Sequence, residues 1–196
     1  MNKKKIVVVI FVLVALVQLY IPAKMILDRE NVLDTGNEFK FITAPIDPTD
    51  PFRGKYINLS YEDNLIEVQN EKDWVHNETI YVLLEIDSNG FAKNKSISKT
   101  KPAGSPDFIK AEVRSVTSNG TNMLTIHYPF DRFYMEESKA YDAELAYSQS
   151  LKDTSKVTYA IVSIKNGDAV LKDVVIEGIS ISEIVKASQE NKNSEK

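Results

Sequence analysis

The side chains able to do chemistry fall into three groups. Asp47 and Asp50, each followed by proline, are paired closely enough to ligate Ca²⁺ or share acid–base work; the same Asp-Pro pairs also make turns in which a carboxylate accepts from a backbone N–H. Arg53 and Arg132 both stand beside aromatic residues, the second in the run Arg132-Phe133-Tyr134-Met135-Glu136-Glu137. Two guanidinium groups so placed can clamp an anion, or each can pair with Glu136, Glu137 or a nearby Asp and stack on a tyrosine. A ligand-binding or hydrolytic site would draw on Arg53, Tyr56, Arg132 and Glu137. His76 and His127 form the third group, each read as alone in its segment, with no second His, Asp or Glu at the i+3 or i+4 spacing of a helical metal site, so no metal is expected. The chain has no cysteine, which removes disulfides, thiolate metal sites and a Cys nucleophile. Ser60 has no histidine near it in sequence; no catalytic residue and no cofactor is assigned.

The element that must position the first two groups is the strand at 55–61. Tyr56, Asn58 and Ser60 alternate with Ile57, Leu59 and Tyr61, which puts the second set on a core face. Gly54 permits a close backbone approach or positive φ, and the two prolines steer the incoming chain out of the helical region. Further strands are expected at 39–43, 79–86, 109–117, 123–128, 157–164 and 169–176. Asn89-Gly90, Asn119-Gly120 and Asn166-Gly167 signal hairpins of type I′, whose two central residues need positive φ. Over 135–151 apolar residues recur at helical spacing between acids, giving one amphipathic helix. The stretch 91–107 reads as a loop whose Lys93, Lys95, Lys99 and Lys101 are solvated, and 188–196 as a polar, disordered tail.

Composition bounds what such a body does. Without the N-terminal segment some 170 residues of the 196 remain, enough for one domain with its own core. Residues 1–27 hold four lysines and no acid, so setting them aside takes the net charge from −4 to −8. An acidic body argues against nucleic acid, whose phosphates are met by Lys and Arg.

The N-terminus is Lys3-Lys4-Lys5 followed by an apolar run, Ile6 to Ile21, broken by Gln18. Sixteen residues make about 24 Å of helix, and continuing through residue 27 reaches the roughly 30 Å of a bilayer core if Lys24 extends its ammonium to the headgroups. The run exceeds the apolar core of a cleaved signal and no small-x-small site follows it, so an uncleaved anchor is expected. The lysines keep their end cytoplasmic, placing the body on the extracytoplasmic side of the cell membrane in a single-pass layout.

Gly54-Lys55-Tyr56-Ile57-Asn58-Leu59-Ser60-Tyr61 resembles the defining motif of the bacterial GDYXXLXY family, with Gly54, Tyr56, Leu59 and Tyr61 on its named positions and Lys55 where the family has Asp. The run Arg132 to Glu137 is similar to a second block, and the turn and strand over 165–178 to a third. The family is one of unknown function. The resemblance implies a membrane-anchored protein, often encoded beside a multi-span membrane protein, and a lysine at the Asp position abolishes any acid chemistry there. Type I signal peptidases share the layout in outline, but no serine lies at the membrane exit.

The expected fold is therefore mainly β: a single antiparallel β domain, barrel- or sandwich-like, with one amphipathic helix, hung on an N-terminal transmembrane helix. Its parts are an anchor (1–27), a juxtamembrane linker (28–37), the β-rich body (38–187) and the tail (188–196). The expected function is that of an accessory or interaction module for a multi-span partner, with the lipid bilayer as its other contact; the alternative is the Arg53, Tyr56, Arg132 and Glu137 site.

Overall fold

Lysines 3–5 open one helix, α1 (Lys3–Thr35), in the computed structural model, which describes residues 3–45, 56–104, 107–118, 120–153 and 155–194. Through residue 27 its apolar side chains point outward all round and none is covered by the body, the surface of a helix built for a lipid solvent. The helix does not stop at the membrane end. Residues 28–37, read as a linker, are helical to Thr35, because these turns lie against the body: Val32 is buried, Arg29 Nη1 donates to the Ala169 carbonyl at 3.1 Å, and Lys165 Nζ reaches Asn31 Oδ1 at 3.0 Å and Thr35 Oγ1 at 2.6 Å. Polarity here marks a docked helix end.

The strands are β1 (Asn37–Ala44), β2 (Tyr56–Asn58), β3 (Ser60–Tyr61), β4 (Leu65–Glu67), β5 (Thr79–Ile86), β6 (Ala92–Ser98), β7 (Phe108–Ser118), β8 (Asn122–His127), β9 (Arg132–Tyr134), β10 (Thr158–Lys165), β11 (Asp168–Ile176) and β12 (Ile179–Ser180). They form two five-stranded antiparallel sheets, in the orders β12-β11-β10-β1-β3 and β4-β8-β7-β5-β6, and a ribbon of β2 with β9. A parallel bridge from Ile109 to Gly167 ties the sheets together, and β1 lies near β6, so the body curls into a nearly closed, barrel-like form. Its core holds Phe41, Ile80, Val82, Leu124, Val162 and Val174, all fully buried. The β-rich, antiparallel expectation is met.

Local differences have local causes. Asn166 and Gly167, at φ 55° and 98°, make the two-residue turn expected between β10 and β11, and a Cβ at Gly167 would lie 2.5 Å from the Phe108 ring. At Asn89-Gly90 only the glycine has positive φ; the loop is longer, and Asp87 Oδ1 accepts from the N–H groups of Asn89 and Phe91 at 2.8 and 2.9 Å. Asn119 lies outside the described residues. The expected loop at 91–107 contains β6, an edge strand with Lys95 and Ser96 exposed and Asn94 half-buried against Asp63 and Tyr128. Lys99 pairs with Glu78 at 2.8 Å and sits over the Trp74 ring, and Lys101 sits over Phe108, so these two lysines are engaged within the body.

Two helices complete the body. The expected helix is α2 (Glu137–Lys152). The tail read as disordered is mostly α3 (Ile181–Ser194), seeded by Ile181, Ile184 and Val185 at helical spacing against the core. Its polar end is held by α2: Gln189 Nε2 donates to Ser138 O at 3.0 Å and Asp142 Oδ2 at 3.1 Å, and Lys192 Nζ meets Asp142 Oδ1 at 2.7 Å.

Lys192, then Gln189, hold the Asp142 carboxyl below its usual pKa. A lowered folded pKa gives stability that is present above the unfolded value, about 3.9, and is lost as pH falls through the folded one. Asp142→Asn at neutral pH is accordingly expected to speed amide exchange over 186–192 with the sheets unchanged, as acid does in the parent chain. Unchanged exchange would mean that Ile181 and Val185 alone hold the helix.

Candidate functional site

Alternation in β2 and β3 decides what the motif residues do. Ile57, Leu59 and Tyr61 are buried, at 2%, 5% and 3% exposure, while Tyr56 and Ser60 are half-buried and Asn58 exposed. Leu59 breaks the strand: its N–H donates to the Asp131 carbonyl at 2.8 Å, and the Tyr61 hydroxyl donates to the Phe130 carbonyl at 2.7 Å. The Tyr61 ring packs against Phe41, Tyr128 and Phe130 with centroids 5.2 to 5.8 Å away. The Tyr128 hydroxyl lies 2.8 Å from the Asp63 carbonyl and 2.7 Å from Asn94 Oδ1, its one proton serving either.

Burial pushes the Tyr61 phenol well above its ordinary pKa; it does the same to Tyr128, where the Asn94 hydrogen bond opposes it. Both therefore stay neutral donors near pH 7 and hold the fold. Tyr147 of α2 differs. Burial pushes it up to about 12, with Thr43 and the Ser60 backbone opposing, yet neither meets hydrogen-bond geometry, and Thr43 Oγ1 donates to the Thr158 carbonyl instead.

The ribbon carries the second motif block. Tyr56 pairs with Tyr134, Ile57 with Phe133 and Asn58 with Arg132. The Arg132 guanidinium lies 5.1 Å over the Tyr56 ring, whose centroid is 5.3 Å from that of Tyr134, and Asp131 is 4.0 Å from Arg132 Nε. The Tyr134 hydroxyl first, then Asp131, raise the guanidinium pKa further. Arg132 thus stacks on a tyrosine and pairs with a nearby Asp, one of the arrangements its sequence allows. Phe133 packs against the core. Glu136 caps α2 without a side-chain cap bond and pairs with Lys139 at 2.7 Å, which lowers its pKa; Glu137 is the first residue of that helix, where a negative charge suits the helix dipole. Arg53, Gly54, Lys55, Asp47 and Asp50 lie outside the described residues, so the four-residue site is represented by Tyr56, Arg132 and Glu137.

Sequence spacing missed a second place. A cleft of about 280 Å³ opens beside the docked end of α1, lined by Arg29, Lys110, Glu112, His127 and Asp168 with the backbone of Gly167 and Ala169. Gly167 O accepts from the Lys110 N–H at 2.9 Å, which fixes β7 against the β10–β11 turn. His127 is not alone: Asp131 Oδ2 is 3.2 Å from Nε2 and Glu112 Oε2 is 3.9 Å from Nδ1. Asp131 stands at i+4 from His127, a spacing expected to hold no partner; the segment is a strand end and turn rather than a helix, yet the pair still meets. Asp131 also meets Arg132, so a chain of charged contacts runs from His127 in the cleft to the ribbon. Among the described residues no three His, Asp or Glu converge to hold a metal ion.

The sequence model of a protein family described as GDYXXLXY protein matches residues 18–174. No curated protein and no solved structure matches the chain.

Proposed function

The chain belongs to the GDYXXLXY protein family, and we propose that within it this protein is a single-pass, membrane-anchored accessory domain: N-terminus cytoplasmic, β body extracytoplasmic, and a face of that body presented to a multi-span partner in the same membrane. The observation that carries this reading is the continuity of α1. One helix is long and apolar enough to cross a bilayer, and its last two turns are bonded to β10 and β11. A body joined this way is held close to the membrane surface at a set angle, as an interaction module needs and a tethered diffusible enzyme does not. The three leading lysines support the orientation.

The motif supports the same reading, since Leu59 and Tyr61 are spent on the core and Arg132 on Tyr56, Tyr134 and Asp131. On the outer face of α2, Tyr141 and Leu145 are exposed one turn apart, with Tyr134 exposed just before the helix. Aromatic and apolar side chains in that setting suit a partner surface.

Crosslinking in intact membranes tests the partner. A multi-span adduct is expected, and recovery of the chain only as itself under every condition overturns the accessory role. Protease added outside intact cells is expected to remove the body, and the membrane-bound chain to keep its N-terminus; a mature chain beginning after Ala23 overturns the anchor.

A further inference from the structure

We propose that the cleft at the foot of α1 binds a phosphoethanolamine group, supplied by a phospholipid of the membrane that the helix crosses; this rests on the anchored reading above. The first argument is register. Arg29 lies two residues beyond Leu27, the last of the apolar stretch, about 3 Å further along the helix axis. The headgroup layer is roughly 5–7 Å deep on each side of the hydrocarbon core. Whatever enters a cleft lined by Arg29 is thus met at headgroup depth.

The second argument is charge. Arg29, Lys110, Glu112 and Asp168 bring two fixed positive and two fixed negative groups to one lining, with His127 beside Glu112. Among the described residues Arg29, Lys110 and Asp168 take part in no ion pair, and Glu112 has only His127 at 3.9 Å. Opposite charges that share a cleft without pairing to each other suit a ligand carrying both signs: a phosphate for Arg29 and Lys110, an ammonium for Glu112 and Asp168. A primary ammonium has N–H donors for the two carboxylates, which the quaternary ammonium of choline lacks. A volume of about 280 Å³ is just below the roughly 300–1,000 Å³ of sites for drug-sized ligands, a size that fits a headgroup.

Native mass spectrometry of the full chain in detergent, offered equal amounts of phosphatidylethanolamine, phosphatidylcholine and phosphatidylglycerol, tests this. The parent chain is expected to retain the ethanolamine lipid preferentially. Arg29→Gln with Lys110→Gln should lose retention of all three. Glu112→Gln with Asp168→Asn should lose roughly tenfold of the ethanolamine preference, the effect of about one charge-assisted hydrogen bond, and keep the glycerol lipid. All four side chains are exposed, so melting curves check that the core is untouched; because Arg29 also bonds the Ala169 carbonyl, Lys110→Gln alone is measured beside the pair and should weaken retention of all three lipids with amide exchange over 29–36 unchanged. Equal retention of the three lipids, or a preference unchanged in both variants, overturns the site. Soluble phosphoethanolamine that binds as tightly as the lipid overturns the lipid source. Release of the chain from membranes by alkaline carbonate overturns the anchored reading instead, a result independent of lipid preference.

Discussion

Leu59→Ala is expected to destabilise the body by about 2–5 kcal/mol, the usual range for truncating a buried leucine. The size follows from position. Leu59 is 5% exposed between Ile57 and Tyr61, and its N–H is the point at which the motif strand is fastened to Asp131. Truncation leaves a void beside that bond, and the neighbouring backbone closes it only by giving up the alternation that buries Ile57 and Tyr61. At roughly 2–4 °C per kcal/mol for a body of this length, the melting midpoint in detergent should fall by about 4–20 °C. Arg132→Ala makes the contrast: its guanidinium is half exposed over Tyr56, where a cation–π contact contributes about 0.5–1 kcal/mol, so its midpoint should barely move. A midpoint unmoved in Leu59→Ala, together with loss of the partner crosslink, would reassign the strand as a binding edge.

What could be read from the sequence follows from where each signal is generated. The alternation of 56–61 and the Asn166-Gly167 turn are local, since the residues concerned determine face and φ by themselves, and both were legible. The β6 strand was not, because at the sheet edge Lys93, Asn94 and Lys95 replace the apolar residues of a central strand, and Asn94 is satisfied by Asp63 and Tyr128, more than thirty positions away. The end of α3 was hidden for another reason: residues beyond Val185 are held by Asp142, some fifty positions away. The cleft is less legible still. Its charged side chains come from α1, β7, β8 and β11, brought together by the Ile109 to Gly167 bridge between the sheets, the β7–β8 pairing and the Arg29 bond to Ala169. Asp131 was the available clue, adjacent to Arg132 and four residues after His127.

Gly36→Ala is expected to separate the anchor from the body while leaving the body folded. Gly36 is the single residue between α1 and β1, and its N–H donates to the Val32 carbonyl at 2.9 Å. A Cβ there would lie 2.5 Å from Val32 O and 2.9 Å from Ile164 O. Both are backbone atoms, so no rotamer change relieves the overlap, and the cost falls in the range of about 1–3 kcal/mol typical of overpacking. Lifting α1 from β10 relieves only the Ile164 overlap, so Gly36 must also turn its backbone away from Val32 O and give up that hydrogen bond; the escape is for the last turn of α1 to open and lift from β10. That takes Val32 out of its buried position and breaks the contact of the Ser163 hydroxyl with the Leu33 carbonyl and the Lys165 bonds to Asn31 and Thr35. Amide exchange should accordingly quicken over 29–36, and the melting midpoint of the sheets should fall less than in Leu59→Ala. If the set angle between helix and body is what presents the partner face, the crosslink yield should drop in Gly36→Ala although the body is intact and still anchored. An unchanged yield with quickened exchange would show that the partner binds the body wherever the helix leaves it, and the fixed junction would then serve the headgroup cleft that Arg29 lines.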